Sequence, residues 1–179
     1  MEKKRNAVNM FAKDCIALAL FKLMKEKQYE DITITDIAKT AGVSRVTYYR
    51  NYNSKEEIIT HYVDELGYRF GQETKHLDPT KDMYVCVLAF FRYWIKHREF
   101  LLCLHEAKLA YVLLEHANKT ISLYTTTAKK KYESRFLLGA MHNIMFEWIK
   151  GGATESPEEM AAIVSDLYRL TVPVPIPPA

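Results

Sequence analysis

Residues 33–59, TITDIAKTAGVSRVTYYRNYNSKEEII, decide how the rest of the chain is read. Three helix starts fall within them. Thr33 and Asp36 have the spacing of a capping box, in which a hydroxyl and a carboxylate satisfy N–H groups that a helix start leaves without partners. Ser44 stands ahead of a second short helix, and Ser54 with Glu57 repeats the box ahead of a third. Between the first two lies Ala41-Gly42-Val43, whose glycine can take the left-handed conformation that ends a helix abruptly. Two short helices across a tight glycine turn describe a helix-turn-helix. The second, from Ser44 to Tyr52, holds the place of the helix that enters a DNA major groove.

Helical periodicity continues on both sides of this stretch. Ahead of it, Val8, Phe11, Cys15, Leu18, Phe21 and Leu23 or Met24 predict one amphipathic helix from Ala7 to about Lys27, after a basic arm at Met1–Asn6. Tyr29 and Ile32 then pack beneath the helix-turn-helix. Behind it, Ile58, Ile59, Tyr62, Val63, Leu66 and Phe70 predict a long helix from Ser54 to about Lys75, which joins the motif to everything downstream. Asp78-Pro79 marks a break and the start of a new helix near Thr80. A stripe through Tyr84, Val85, Leu88 and Ile95 is interrupted at His97–Glu99, and Phe100–Leu104 forms a short helix. A long segment from Lys108 to about Lys131 follows, less regular around Asn118. Tyr132–Lys150 carries Phe136, Ala140, Ile144 and Trp148 on one face and Leu137, Met141 and Met145 beside it. That surface is wider than a helix packed on one side needs. Gly151-Gly152 stops it, and Ser156-Pro157-Glu158-Glu159 caps a last helix with Met160, Ile163, Val164, Leu167 and Leu170. Thr171–Ala179 holds four of the six prolines, which predicts an extended tail.

The fold class expected is therefore all-α. An N-terminal helix-turn-helix domain occupies residues 1–57, a C-terminal helical domain residues 58–170, and a proline-rich tail residues 171–179. The 179 residues, 49% of them hydrophobic, suffice for a real core. No apolar run reaches the roughly 20 residues of a membrane span, and no apolar signal core follows the charged N-terminus, so a cytoplasmic protein without membrane contact is expected. The net charge of +3 lies wholly in residues 1–57, with 11 Lys and Arg against 8 Asp and Glu; the remainder is balanced. A phosphate-facing first domain fits that distribution. Cys15, Cys86 and Cys103 form neither a disulfide framework nor a metal pair and read as small buried hydrophobes. No metal spacing, Gly-rich phosphate loop or nucleophile–base motif stands out, so neither a cofactor nor an enzyme is expected.

The run Thr33-x-x-Asp36-Ile37-Ala38-x-x-Ala41-Gly42-Val43-Ser44-x-x-Thr47-Tyr48-Tyr49-x-x-Tyr52-x-Ser54-Lys55-Glu56-Glu57 resembles the signature of the tetracycline-repressor-like (TetR) family. The resemblance implies an all-α homodimer that binds double-stranded DNA at a palindromic operator. It also implies a C-terminal domain that holds a small-molecule effector and dimerises through its last two long helices. Positions matching Thr33, Thr47, Tyr49, Asn51 and Lys55 commonly meet the DNA backbone in that family. Asn51 departs from a histidine often found there, and Tyr52 replaces a common phenylalanine.

Read without the family, Arg45, Val46, Tyr49 and Arg50 share one face of a helix capped by Ser44, while Val43, Tyr48 and Tyr52 lean toward Ile37 and Ala38. Arg45 or Arg50 can pair with guanine or phosphate, Val46 can touch a thymine methyl, and Thr47, Tyr49 and Lys55 suit phosphate. For an effector site the candidates are Tyr93, Trp94, His97, His105, His142 and Trp148, polar and aromatic groups within apolar helices. For the dimer interface they are Phe136, Ala140, Ile144, Trp148, Ile163 and Leu167. The function expected is a dimeric regulator, a repressor released from its operator by a small molecule. The same wide apolar surfaces also suit an adaptor or co-activator whose C-terminal domain binds a partner protein.

Overall fold

The computed structural model describes residues 2–78, 81–123 and 126–171, with side chains from residue 10 to residue 169 within those ranges. The expected proline break at Pro79 and the tail beyond Thr171 lie outside them. Nine α-helices and no strand occur among the described residues: α1 Glu2–Met24, α2 Ile34–Thr40, α3 Arg45–Asn51, α4 Lys55–Thr74, α5 Met83–Trp94, α6 Arg98–Glu106, α7 Tyr111–Ser122, α8 Ala128–Lys150 and α9 Pro157–Thr171. A 3-10 turn at Tyr29–Asp31 separates α1 from α2, and another at Ile95–His97 joins α5 to α6.

Helices α1 to α4 pack on one another around Ile16, Leu20, Ile37, Tyr48, Ile58 and Ile59, all at most 1% exposed. The α1 stripe is not the one periodicity suggests. Phe11 and Leu18 are about two-thirds exposed, at 70% and 64%, whereas Ile16, Ala17, Ala19, Leu20, Phe21, Leu23 and Met24 face the core. The stretch Cys15–Leu20 is apolar all round, so helical spacing selects no face and packing against α2–α4 decides it. Val8 lies outside the described side chains.

Helix α4 passes through the expected domain boundary at 57/58 without interruption and contacts α1, α5 and α7. Where the two halves meet, the rings of Phe21, Tyr62 and Phe100 stand edge-to-face in a triangle with centroids 4.7–4.8 Å apart. These rings tie α1, α4 and α6 together through aromatic contacts that favour such crossed geometry. The Lys25–Glu99 ion pair closes the same junction at the surface.

In the C-terminal half, α9 lies along α5, and α8 packs on α6 and α7. Helix α5 starts at Met83 with Asp82 as its cap, Val85 N–H donating to Asp82 Oδ1 at 3.0 Å, rather than near Thr80. The expected long segment from Lys108 to Lys131 is two helices, broken beyond Ser122 and not at Asn118. Its second half restarts where Thr127 caps α8, a position preceded by β-branched threonines of low helix propensity. Among the three cysteines only Cys103 is buried; Cys15 and Cys86, expected to be buried too, are half-exposed, and all three thiols are free.

Candidate functional site

The turn between α2 and α3 is a Schellman motif built on Gly42, whose φ is +68°. Val43 N–H donates to Ala38 O at 3.0 Å and Gly42 N–H to Lys39 O at 3.2 Å, which satisfies the last α2 carbonyls and turns the chain sharply. At the start of α2 the capping box is complete: Asp36 N–H donates to Thr33 Oγ1 at 3.1 Å and Thr33 N–H to Asp36 Oδ2 at 3.0 Å. Lys27 adds an ion pair at 2.6 Å, and together these hold the Asp36 carboxyl well below its ordinary value. Ser44 caps α3 by accepting from Thr47 N–H at 3.0 Å. The third box is displaced by one residue. Ser54 Oγ accepts from Glu57 N–H, but the Glu57 carboxylate takes the N–H of Asn53 at 2.7 Å instead of that of Ser54.

Helix α3 is clamped from behind. Tyr48 is fully buried and Tyr52 nearly so, with ring centroids 6.4 Å apart, and burial pushes both phenols up to about 12. Tyr52 is 3.3 Å from His61 Nδ1 on α4, and His61 Nε2 is 3.3 Å from Lys13 Nζ on α1. An ammonium can only donate, so Nε2 accepts and Nδ1–H of the neutral ring donates to the Tyr52 hydroxyl. The tyrosine that replaces a phenylalanine thus links three helices.

The opposite face is open. Val46 is 68% and Tyr49 49% exposed, and Arg45 and Arg50 are exposed beside them. The Arg45 guanidinium lies 5.9 Å from the centroid of the Tyr49 ring. Neither arginine forms an ion pair among the described residues. Asn51 is half-buried and donates through Nδ2 to Thr47 O at 2.7 Å. Lys55, expected at phosphate, is committed elsewhere. Its ammonium donates to the carbonyls of Tyr29, Glu30 and Ile32, the latter two at 3.2 Å, and sits 4.2 Å above the Tyr29 ring. Its three donors thus meet three acceptors within the chain. Tyr29 in turn donates through its hydroxyl to Glu56 at 2.9 Å, so the start of α4 grips the 3-10 turn ahead of the helix-turn-helix.

The second half contains a cavity of about 380 Å³ between α4, α5, α7 and α8. Its wall is almost entirely apolar, with Phe70 of α4, Phe90 and Trp94 of α5, Leu113 of α7, and Met141 and Met145 of α8 contributing most of the large side chains. Thr74, Thr120, His116, His142, Trp94 and Cys86 carry its polar side-chain groups, and no Asp, Glu, Lys or Arg lines it. Thr74 and His142 already donate to the carbonyls of Phe70 and Ala110, at 2.7 and 3.0 Å. Burial, then Asp82 and Asp78, push the Cys86 thiol up, so it stays protonated.

Of the six residues expected at an effector site, Trp94 and His142 line this cavity. The other four do not. Tyr93 is buried with its hydroxyl donating to Leu66 O at 2.8 Å; it fastens α5 to α4. His97 lies against the rings of Tyr93 and Trp94, and burial lowers its pKa. His105 is exposed, on an outer cleft beside Phe146. Trp148 is core, packed edge-on to Phe91 with Nε1–H donating to Glu155 O at 3.0 Å, which also removes it from any dimer face. Sequence reading passed over Phe70, Phe90, Met141 and Met145 because aromatic and Met side chains at helical spacing look like ordinary core. The usable signal was Gly71, where nothing lies within 4 Å of the place a side chain would start, so that α4 is hollowed beside Phe70.

The remaining expected dimer residues divide by helix. On α8, Phe136 is 59% exposed and Ala140 and Ile144 are half-buried; on α9, Ile163 and Leu167 are 49% and 47% exposed on the side away from α5. Tyr132, one turn before Phe136 and 67% exposed, extends the apolar strip on α8. No described helix is long and apolar enough to cross a membrane, and no three His, Cys, Asp or Glu among the described residues cluster as a metal site.

Known proteins share this arrangement. Residues 16–62 match the family described as "Bacterial regulatory proteins, tetR family", and residues 81–169 match "Transcriptional regulator C-terminal region". The chain is similar to the HTH-type transcriptional regulator EthR of Mycolicibacterium smegmatis, with 29% identity over 82 residues. That match spans 42% of this chain and 38% of EthR, well under half of that relative. The fold is similar to Lin0861 from Listeria innocua, with a TM-score of 0.77 at 14% identity over 91% of this chain and 92% of that one. It is also similar to the dihydroxyacetone kinase operon activator DhaS, with a TM-score of 0.60 at 18% identity over 90% and 96% of the two chains. With a tetR-family match on the helix-turn-helix half and a regulator match on the helical half, the chain belongs to the TetR family of transcriptional regulators.

Proposed function

We propose that the chain acts as a homodimer that reads a palindromic operator with α3 and represses transcription until a small, uncharged, largely apolar molecule enters the cavity. The observation that carries the DNA half is the open face of Arg45, Val46, Tyr49 and Arg50 on a helix whose back is fixed by Tyr48 and Tyr52. A seven-residue helix held on three sides can enter a major groove without losing its geometry. Arg45 and Arg50 reach for guanine or phosphate, Val46 for a thymine methyl, and Tyr49 with Ser44 and Thr47 for phosphate. Asn51 flanks that surface with one amide N–H still to give, whereas the Thr33 hydroxyl and N–H both donate to Asp36 and hold the start of α2 in place. Lys55 supports the head from within and is left out of the backbone contacts.

The apolar strips of α8 (Phe136, Ala140, Ile144) and α9 (Ile163, Leu167) form the dimer interface in this reading. An uncharged effector follows from a wall without ionisable carboxylates or cations, because a bare charge in such a place is costly. Release requires that the effector bind unequally to two arrangements of the dimer. One structural neighbour bears an activator's name, which favours a second reading of sign: the same DNA-bound dimer aids transcription instead of blocking it, through a partner protein on its C-terminal half.

Selection of bound duplexes from a random pool by the full chain tests the DNA half. The expected product is a palindrome whose half-sites are centred roughly 34–36 Å apart or a multiple of that. Tyr49→Ala or Arg50→Ala should then weaken binding while sedimentation still reports a dimer. A selection without palindromy, or variants that bind as the parent does, refutes the assignment. A promoter–reporter fusion carrying the selected site decides the sign.

A further inference from the structure

Helices α4 and α7 touch at one unusually close place. A Cβ built on Gly67 would lie 2.3 Å from Nε2 of His116 and 3.0 Å from its Cδ2, so the imidazole occupies the position that any side chain at residue 67 would take. One turn earlier on α4, Asp64 Oδ1 is 2.6 Å from His116 Nδ1. The carboxylate can only accept, so Nδ1 carries a proton and donates it to Asp64, while Nε2 lies 3.4 Å from Thr120 Oγ1. The ring is also a partition: His116 borders the apolar cavity on one side and, on the other, a groove of about 260 Å³ that includes Glu56, Thr60 and Asp64.

We propose that the His116 imidazole, seated on Gly67 and tied to Asp64, is the positioning group through which occupancy of the cavity sets the place of α4. This rests on the reading of that cavity as the effector site. Thr120 and His116 are neighbours on the cavity wall, and a molecule entering there meets a ring with no slack toward α4. The ring leaves its seat or drives α4 away, and either event changes the α4–α7 contact. Helix α4 carries the change to the reading head. Tyr62, held in the aromatic triangle with Phe21 and Phe100, is the natural pivot. At 1.5 Å per residue Gly67 lies roughly 7.5 Å beyond it and Lys55 roughly 10 Å before it, so a shift at Gly67 arrives at the head about 1.4 times larger. Lys55 and Glu56 hold the 3-10 turn, and α3 ends only a few residues earlier, so the head moves with that end of α4.

The full-length Gly67→Ala variant tests this, because its methyl evicts the ring while α3 and its exposed face are untouched. The expected result is a loss of operator affinity of about tenfold without any ligand, within the range of ordinary coupling between sites, in a protein that remains helical and dimeric. Gly67→Ala with His116→Ala should bind as the parent does, since removing the ring makes room for the methyl. Hydrogen exchange of α3 should rise in the single variant and return to the parent's level in the double one, a remote response that a purely local packing role would not give. Should Gly67→Ala fail to fold, Asp64→Ala, which cuts only the tie, is expected to weaken operator binding in the same direction. Parental affinity in Gly67→Ala or its substitute, or a double variant no better than the single one, overturns the proposal. If the parent binds no selected duplex, the repressor reading fails instead, and the exchange measurement still decides the latch.

Discussion

Lys55→Met separates a structural lysine from a phosphate contact. Methionine keeps most of the aliphatic stem that packs over Tyr29 and removes only the ammonium, leaving the carbonyls of Tyr29, Glu30 and Ile32 without their shared donor. A hydrogen bond from a charged group is worth about 1.5–3 kcal/mol when buried. This ammonium is only partly buried, and water replaces part of what is lost, so the cost for the set is about 2 kcal/mol. For a chain of this length each kcal/mol moves the melting midpoint by roughly 2–4 °C, which gives a fall of roughly 4–8 °C in calorimetry or circular dichroism. Operator binding measured across a salt series supplies the second reading. Each phosphate neutralised contributes about 0.9 to the slope of log K against log salt, so a dimer losing two such contacts would lose about 1.8. The expected outcome is a lower midpoint with that slope unchanged. An unchanged midpoint with a slope reduced by about 1.8 would show that Lys55 faces DNA and that the three-carbonyl clasp is wrong.

Two further perturbations probe the helical half. Lys108 ends α6 in the left-handed region at φ 59°, with Leu109 N–H donating to Leu104 O at 2.7 Å, a place where a side chain costs about 1 kcal/mol. Lys108→Gly, after allowing for glycine's freer unfolded chain, should raise the midpoint by roughly 1–4 °C, and a fall would contradict the assigned turn. His97 is held below its ordinary pKa of 6.5, by burial first and then by Lys96 and Arg69. The unfolded chain therefore takes up that proton at higher pH than the folded one. The stability carried by the neutral ring is complete above 6.5 and is lost as pH falls toward the folded value. Over about pH 7 to 5 the midpoint of His97→Gln should fall less than that of the parent, and parallel curves would remove His97 from the account.

The helix-turn-helix was legible because its determinants are local. Caps at Thr33, Ser44 and Ser54 act over three residues, and Gly42 needs only its own φ, so neighbouring letters suffice to place α2, α3 and the start of α4. The exposed face of α3 followed from spacing too, since Tyr48 and Tyr52 alternate with Val46 and Tyr49 around a short helix. Helix α1 shows the opposite case: with apolar residues on every side, Phe11 and Leu18 could not be told from core until α2–α4 were set against it.

By itself, then, the sequence determined an all-α chain, a DNA-reading motif near its start and the family to which it belongs, because caps, a glycine turn and charge placement are short-range properties. Tertiary structure alone decided what distant residues do together. Lys55 turned from phosphate toward Tyr29 because a 3-10 turn 25 residues earlier presents carbonyls to it. Tyr93 and Trp148 became core, and Phe70, Met141 and Met145 became cavity wall, because α4, α5, α7 and α8 converge around a space that Gly71 leaves open. A side chain's type sets what it can bind, but which of its possible partners lies within reach depends on where the other helices stop.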